Sequence, residues 1–99
     1  MPQLTVIAKV KVKPEAEATV YQEFQKLIPA TLAEEGCLNY DLHRSIEDRT
    51  LFWFYENWTS KSIWEQHMES EHIQAFQKAT EGMIEDFRLF LMQPEQLAN

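Results

Sequence analysis

Phe52-Trp53-Phe54-Tyr55-Glu56-Asn57-Trp58 is the run that decides how this chain folds. Aromatic residues favour strands, and successive strand side chains point to opposite faces. One face therefore carries Phe52, Phe54, Glu56 and Trp58, and the other Trp53, Tyr55 and Asn57. Glu56 is the anomaly: a carboxylate in so apolar a run is costly unless it is paired or used.

Upstream, Leu38 to Ile46 reads as a second strand and Thr50 to Trp58 as a third, joined through Glu47-Asp48-Arg49 as a hairpin. With Ile46 opposite Thr50, Leu38 faces Trp58, Tyr40 faces Glu56 and Leu42 faces Phe54. A slip of one residue would move one strand's set to the opposite face. Further upstream, Leu4, Val6, Ala8, Val10 and Val12 share one face of a first strand,. Pro14 opens a helix where its missing N–H does no harm,. Val20, Phe24, Leu27, Ile28 and Leu32 form its apolar stripe, Pro29 interrupts it, and Gly36 ends it as a left-handed cap,.

Downstream, Thr59 or Ser60 caps a short helix bearing Ile63, Trp64, His67 and Met68,. Ser70 caps the next, with Ile73, Phe76, Ala79 and Met83 as its stripe, and Phe87 to Met92 reads as a fourth strand,. The order β-α-β-β-α-β, its second helix broken in two, predicts an α+β ferredoxin-like fold. Residues 1–99 are expected to form one domain, with helices on one face of an antiparallel sheet,. The far face would normally be polar, yet it offers Leu51, Trp53 and Tyr55 beside Asn39, Asp41 and His43,. No helix remains to cover it, so a homodimer through the sheet face is expected.

Bulk composition narrows the function. A net charge of −7 without a basic cluster argues against nucleic-acid binding,. The single Cys37 permits no internal disulfide, the first residues lack a leader pattern, and no run approaches membrane-spanning length,. A cytoplasmic location without membrane contact is expected. Three Trp, three Tyr and six Phe suit a lined cavity or a large interface,. With only Gly36 and Gly82 there is no phosphate-cradling loop,.

Glu56, Trp58 and Tyr40 on the helix-facing side, followed by His67 and His72, could bring a carboxylate, two imidazoles and two aromatics together. That set suits general acid–base chemistry on a flat, apolar molecule. It equally suits a satisfied structural core. His67 and His72 are five apart, roughly 140° around one straight helix, so the spacing predicts no metal pair.

At these residues the sequence resembles the antibiotic biosynthesis monooxygenase (ABM) superfamily, and most closely its small quinol monooxygenases. The matching pieces are Leu4-Thr5-Val6-Ile7-Ala8 and Ile28-Pro29-Ala30-Thr31-Leu32-Ala33-Glu34-Glu35-Gly36-Cys37 leading to Tyr40. Glu56-x-Trp58 followed by His67 and His72, and Leu91-Met92-Gln93-Pro94 at the end, complete the set. The resemblance implies a dimeric α/β barrel with a pocket between sheet and helices. It further implies an oxygenase needing neither metal nor flavin, which deprotonates a hydroquinone or similar reduced aromatic so that it passes an electron directly to O₂. Under it, His67 or His72 is the base, Glu56 its partner, and Trp58 and Tyr40 the wall, with Arg44 a nearby donor. Haem-degrading relatives use an Asn on the first strand, where this chain has Val6, Ala8 and Val10. A non-catalytic small-molecule-binding or stress protein, or an isomerase of a small sugar-like metabolite, is the alternative on the same scaffold.

Overall fold

The computed structural model describes residues 3–95. Strand β1 (Leu4–Val12) buries every second residue against the helices, as its alternation requires,. A single 3₁₀ turn (Pro14–Ala16) leads into helix α1 (Glu17–Leu32). Strands β2 (Cys37–Arg44) and β3 (Leu51–Trp58) form the hairpin, followed by helices α2 (Lys61–Met68) and α3 (Glu71–Ala79) and by strand β4 (Ile84–Met92). The sheet is antiparallel in the order β2-β3-β1-β4, the ferredoxin-like plan expected from the element order. Among the described residues no helix is long and apolar enough to cross a membrane.

The hairpin register places Tyr40 opposite Glu56 and Leu42 opposite Phe54, as the sequence predicts. It fails at one end. A bulge between Cys37 and Asn39 pairs Cys37, not Leu38, with Trp58, and Leu38 turns out to solvent. An extra residue in one strand of a pair bends it and re-aims its side chains.

The core stripe of α1 also shifts. Val20, Phe24 and Leu27 are buried as expected, but the fourth buried position is Thr31, while Leu32 is half exposed. Phe24 is the hub, meeting Phe52 and Phe54 edge-on and stacking on Phe76 of α3,. Pro29 lies inside α1, three residues before its end.

Two serines set the helix starts that follow β3. Ser60 accepts a hydrogen bond from the Ile63 N–H at 3.2 Å and Ser70 from the Ile73 N–H at 3.3 Å, the usual work of an N-cap. Ser70 also donates its hydroxyl to the His67 carbonyl at 2.7 Å. One side chain thus fixes the direction of α3 relative to the last turn of α2.

Gly36 ties the α1–β2 turn to this region. Its φ of 89° suits glycine,. A Cβ there would lie 2.6 Å from Ile63 Cγ2 and 2.8 Å from Thr59 Oγ1. The Thr59 N–H donates to the Gly36 carbonyl at 2.9 Å. The residues just before Gly36 are therefore held against the start of α2.

Candidate active site

A cavity of about 310 Å³ opens between the sheet and the helices. Its apolar wall includes Ala8, Phe24, Phe54, Ile73, Phe76 and Leu89. Tyr40, Glu56 and His67 bring ionisable groups to it. An apolar cleft with a few convergent polar groups is the usual form of a small-molecule site.

His67, on the last turn of α2, is 1% exposed and lines the cavity. Its Nδ1 lies 2.6 Å from Glu34 Oε2. His72, on the first turn of α3, brings its Nε2 to the same oxygen, also at 2.6 Å. Glu34 sits in the turn after α1, so one carboxylate oxygen bridges imidazoles from two helices. The carboxylate is an acceptor when ionised, so each ring donates an N–H to it. His67 Nδ1 then holds the proton, and its Nε2 makes no hydrogen bond among the described residues. Burial pushes the His67 pKa down, partly offset by the hydrogen bond and charge of Glu34,. Trp58 covers the ring of His67, with centroids 4.6 Å apart.

The structure corrects the pairing expected for Glu56. Among the described residues it bonds to neither histidine. Its Oε1 accepts the Trp58 indole N–H at 2.9 Å. The two residues are two apart on one strand face, so their side chains are neighbours by the pleat alone. Burial raises the Glu56 pKa to about 7, with the nearby negative charge of Glu34 adding to the effect and the Trp58 hydrogen bond opposing it. Glu56 is thus a carboxyl that is partly protonated near neutrality. Tyr40, also buried, has its pKa raised, first by burial and then by Glu56.

The remaining expected residues divide. Tyr40 lines the cavity. Trp58 is fully buried and is not part of the cavity wall; it lies behind, supporting Glu56 and His67. His72 is not in the wall either, and its side chain is 25% exposed on the outer side of Glu34. Arg44 is turned away from the cavity. Its guanidinium lies over the rings of Tyr21 and Phe52, at 4.7 and 4.5 Å, and pairs with Glu17 at 3.1 Å. A cation held between two aromatic faces and a carboxylate is a packing element here.

Glu34 is the residue that sequence reasoning missed. It is 33 positions from His67 and 38 from His72, so no local spacing reveals the link. The available signal was an acidic pair, Glu34-Glu35, directly before the glycine that turns the chain.

The profile of the family described as antibiotic biosynthesis monooxygenase matches residues 3–79. The Escherichia coli (strain K12) protein named probable quinol monooxygenase YgiN is 28% identical over 101 residues, spanning 92% of this chain and 97% of its own length. The crystal structure of PA3566 from Pseudomonas aeruginosa superposes with a TM-score of 0.90 at 30% identity, covering 99% of this chain and 97% of that one. A conserved protein from Methanosarcina mazei Go1 superposes at 0.88 with 25% identity, over 96% and 95% of the two chains. The match across sheet, turn and both histidine-bearing helices means that this chain belongs to the antibiotic biosynthesis monooxygenase family.

Proposed function

We propose that this protein is a cofactor-independent monooxygenase that oxidises a hydroquinone or a similarly reduced aromatic with O₂. The observation that carries the reading is His67 at the cavity wall, with Nδ1 held by Glu34 and its other ring nitrogen without a hydrogen-bond partner among the described residues. That tautomer offers a lone pair as general base. A 310 Å³ cavity is at the small end for ligand sites and suits one or two fused rings,.

The chain's own groups divide the work as follows. His67 Nε2 takes the phenolic proton of the hydroquinone, and Glu34 steadies the imidazolium that forms. The phenol is a weak acid of pKa ~10 and an ordinary histidine lies near ~6.5, so the transfer is uphill by about 5 kcal/mol. Burial of His67 widens the gap. Hydrogen bonds to the resulting anion must offset it. Tyr40 and Glu56 can act as donors: the raised pKa of Tyr40 keeps its hydroxyl protonated, and that of Glu56, about 7, leaves a share of it protonated near neutrality. Trp58 holds Glu56 Oε1, leaving Oε2 to carry the proton. The anion then passes one electron to O₂, and the two radicals recombine with formation of a C–O bond. Loss of water leaves a hydroxyquinone: one oxygen atom enters the product, the other departs as water, and hydroquinone supplies the electrons.

Reduced 1,4-naphthoquinone under air tests this. Oxygen uptake coupled to hydroxyquinone formation is expected, lost in His67→Ala. No turnover over a panel of hydroquinones, with saturable binding of the aromatic, would leave a binding protein. Conversion that proceeds equally without O₂ would point to an isomerase.

The far face of the sheet exposes Tyr55, Phe90 and Met92 at 44, 43 and 44%, and β1–β4 pairing puts Phe90 and Met92 on that side with Ile7 and Thr5. This supports a homodimer through the sheet face. Sedimentation equilibrium showing a stable monomer at micromolar concentration would end that part of the reading.

A further inference from the structure

The triad at Glu34 admits a chemistry besides hydrogen bonding. Two imidazole nitrogens and one carboxylate oxygen, from three elements, lie within 4.8 Å of one another. The five-residue spacing of His67 and His72 would separate them on one helix, but the chain breaks between α2 and α3. Ser70, bonded both to the His67 carbonyl and to the Ile73 N–H, re-aims α3 so that both rings meet one oxygen. Two histidines and a carboxylate form a donor set for zinc-class ions, with a position left for water.

We propose that Glu34, His67 and His72 form a binding site for one divalent transition-metal ion of the zinc class. Ligand bonds of about 2.0–2.1 Å in a tetrahedral arrangement place donor atoms about 3.3 Å apart. The 2.6 Å separations between Glu34 and each ring must therefore open by roughly 0.7 Å,. His67 is locked by its burial, whereas the Glu34 and His72 side chains are 19 and 25% exposed and can give way. Their exposed side is also the route of entry. The carboxylate and two neutral imidazoles give the site one negative charge, and the chain as a whole carries −7, so a divalent cation is electrostatically favoured.

The ion would take the place of the two N–H donors at Glu34, each neutral ring keeping its single proton by moving it to its other nitrogen. A metal on Nδ1 of His67 selects the other tautomer, with the ring's single proton on Nε2. The metal-loaded ring then has no free nitrogen to act as a base, so ion binding and proton abstraction are exclusive states of the same side chain. The site itself does not depend on the monooxygenase reading, because ion binding is measured without substrate.

The test titrates the metal-stripped protein with Co²⁺ and Zn²⁺, following calorimetry and the visible absorption of Co²⁺. One equivalent should bind with intense visible bands of four-coordinate cobalt, and Zn²⁺ should displace it. Glu34→Gln and His72→Ala should each weaken binding about tenfold or more. His43→Ala, on the far face of the hairpin, should bind as the parent does. Long-range ¹H–¹⁵N spectra of the unmutated protein give a readout free of variant folding: Zn²⁺ should shift His67 Nδ1 and His72 Nε2 and spare the His43 ring. Absence of saturable one-to-one binding below millimolar concentration overturns the proposal. So do equal affinity in Glu34→Gln and His72→Ala, loss of binding in His43→Ala, or a zinc titration that leaves the nitrogens of His67 and His72 unmoved.

Discussion

The turn after α1 and the middle of β3 each bring one buried or half-buried carboxylate to the same corner of the molecule, and their environments push them to opposite tasks. Glu34 meets two N–H donors at 2.6 Å and keeps a partly exposed side. Glu56 is 4% exposed, has one neutral donor, and is pushed towards its protonated form. Two glutamates in one corner of the molecule thus become an anchor for the histidines and a partly protonated carboxyl through hydrogen-bond count and burial,.

The comparison is most sharply broken at the first of these. If Glu34 orients His67, Glu34→Gln should lower hydroquinone oxidation by roughly 10²–10⁴-fold, the range for misplacing a general base, while binding of an unreactive quinone in the cavity stays nearly unchanged. Steady-state oxygen uptake beside equilibrium binding separates the two. If Glu34→Gln retains full activity and only Glu56 variants fail, the roles are reversed.

Glu56→Gln tests the second carboxylate through stability. The folded pKa of about 7 lies above the ordinary 4.5. The folded state therefore holds a proton that the unfolded chain releases first. The stability this contributes is complete below pH 4.5 and is lost as pH rises through 7,. Gln keeps an acceptor for the Trp58 indole but cannot ionise. Relative to the parent, the variant should gain about 3 kcal/mol between those two limits,, read from urea unfolding at several pH values. A parallel pH dependence in the two proteins would mean that Glu56 ionises freely.

Smaller effects probe what delivers Glu34 and the histidines to each other. Gly36→Ala forces a side chain into positive φ and against Ile63 and Thr59. It should cost roughly 1–3 kcal/mol and displace Glu34 from the histidines, seen as altered histidine nitrogen shifts. Unchanged shifts would show that the turn is not held by that contact. Ser70→Ala removes the α3 cap and its tie to α2 and should cost about 1 kcal/mol in chemical denaturation, with the His72 ring more affected than that of His67. An effect confined to His67 would contradict the assignment of Ser70 as the element that aims α3.

Much of this molecule was legible from periodicity. The alternation of Leu4 to Val12 and of Phe52 to Trp58, the serine caps and the glycine after α1 describe short-range physics, and each appears where the residues require it. The hairpin register followed too, because a slip by one residue would have buried Asn39 and Asp41 in place of Tyr40 and Leu42. It was lost at the bulge beside Cys37, where one extra residue costs little and no pattern of two can reveal it, and the ladder stops at Arg44 and Phe52, short of the expected Ile46–Thr50 pair,.

The site was legible only in its inventory. The sequence by itself determined that Tyr40, Glu56 and Trp58 share a strand face and that His67 and His72 follow on helices, because those are relations between near neighbours. Which carboxylate meets the histidines was decided by tertiary structure. The reach from Glu34 to His67 and His72 depends on the positive φ of Gly36, its close approach to Ile63, and the turn between α2 and α3 set by Ser70. Several weak local constraints add up to one long-range contact there. A hydrogen bond between residues more than thirty positions apart leaves no period in the chain from which it could be read.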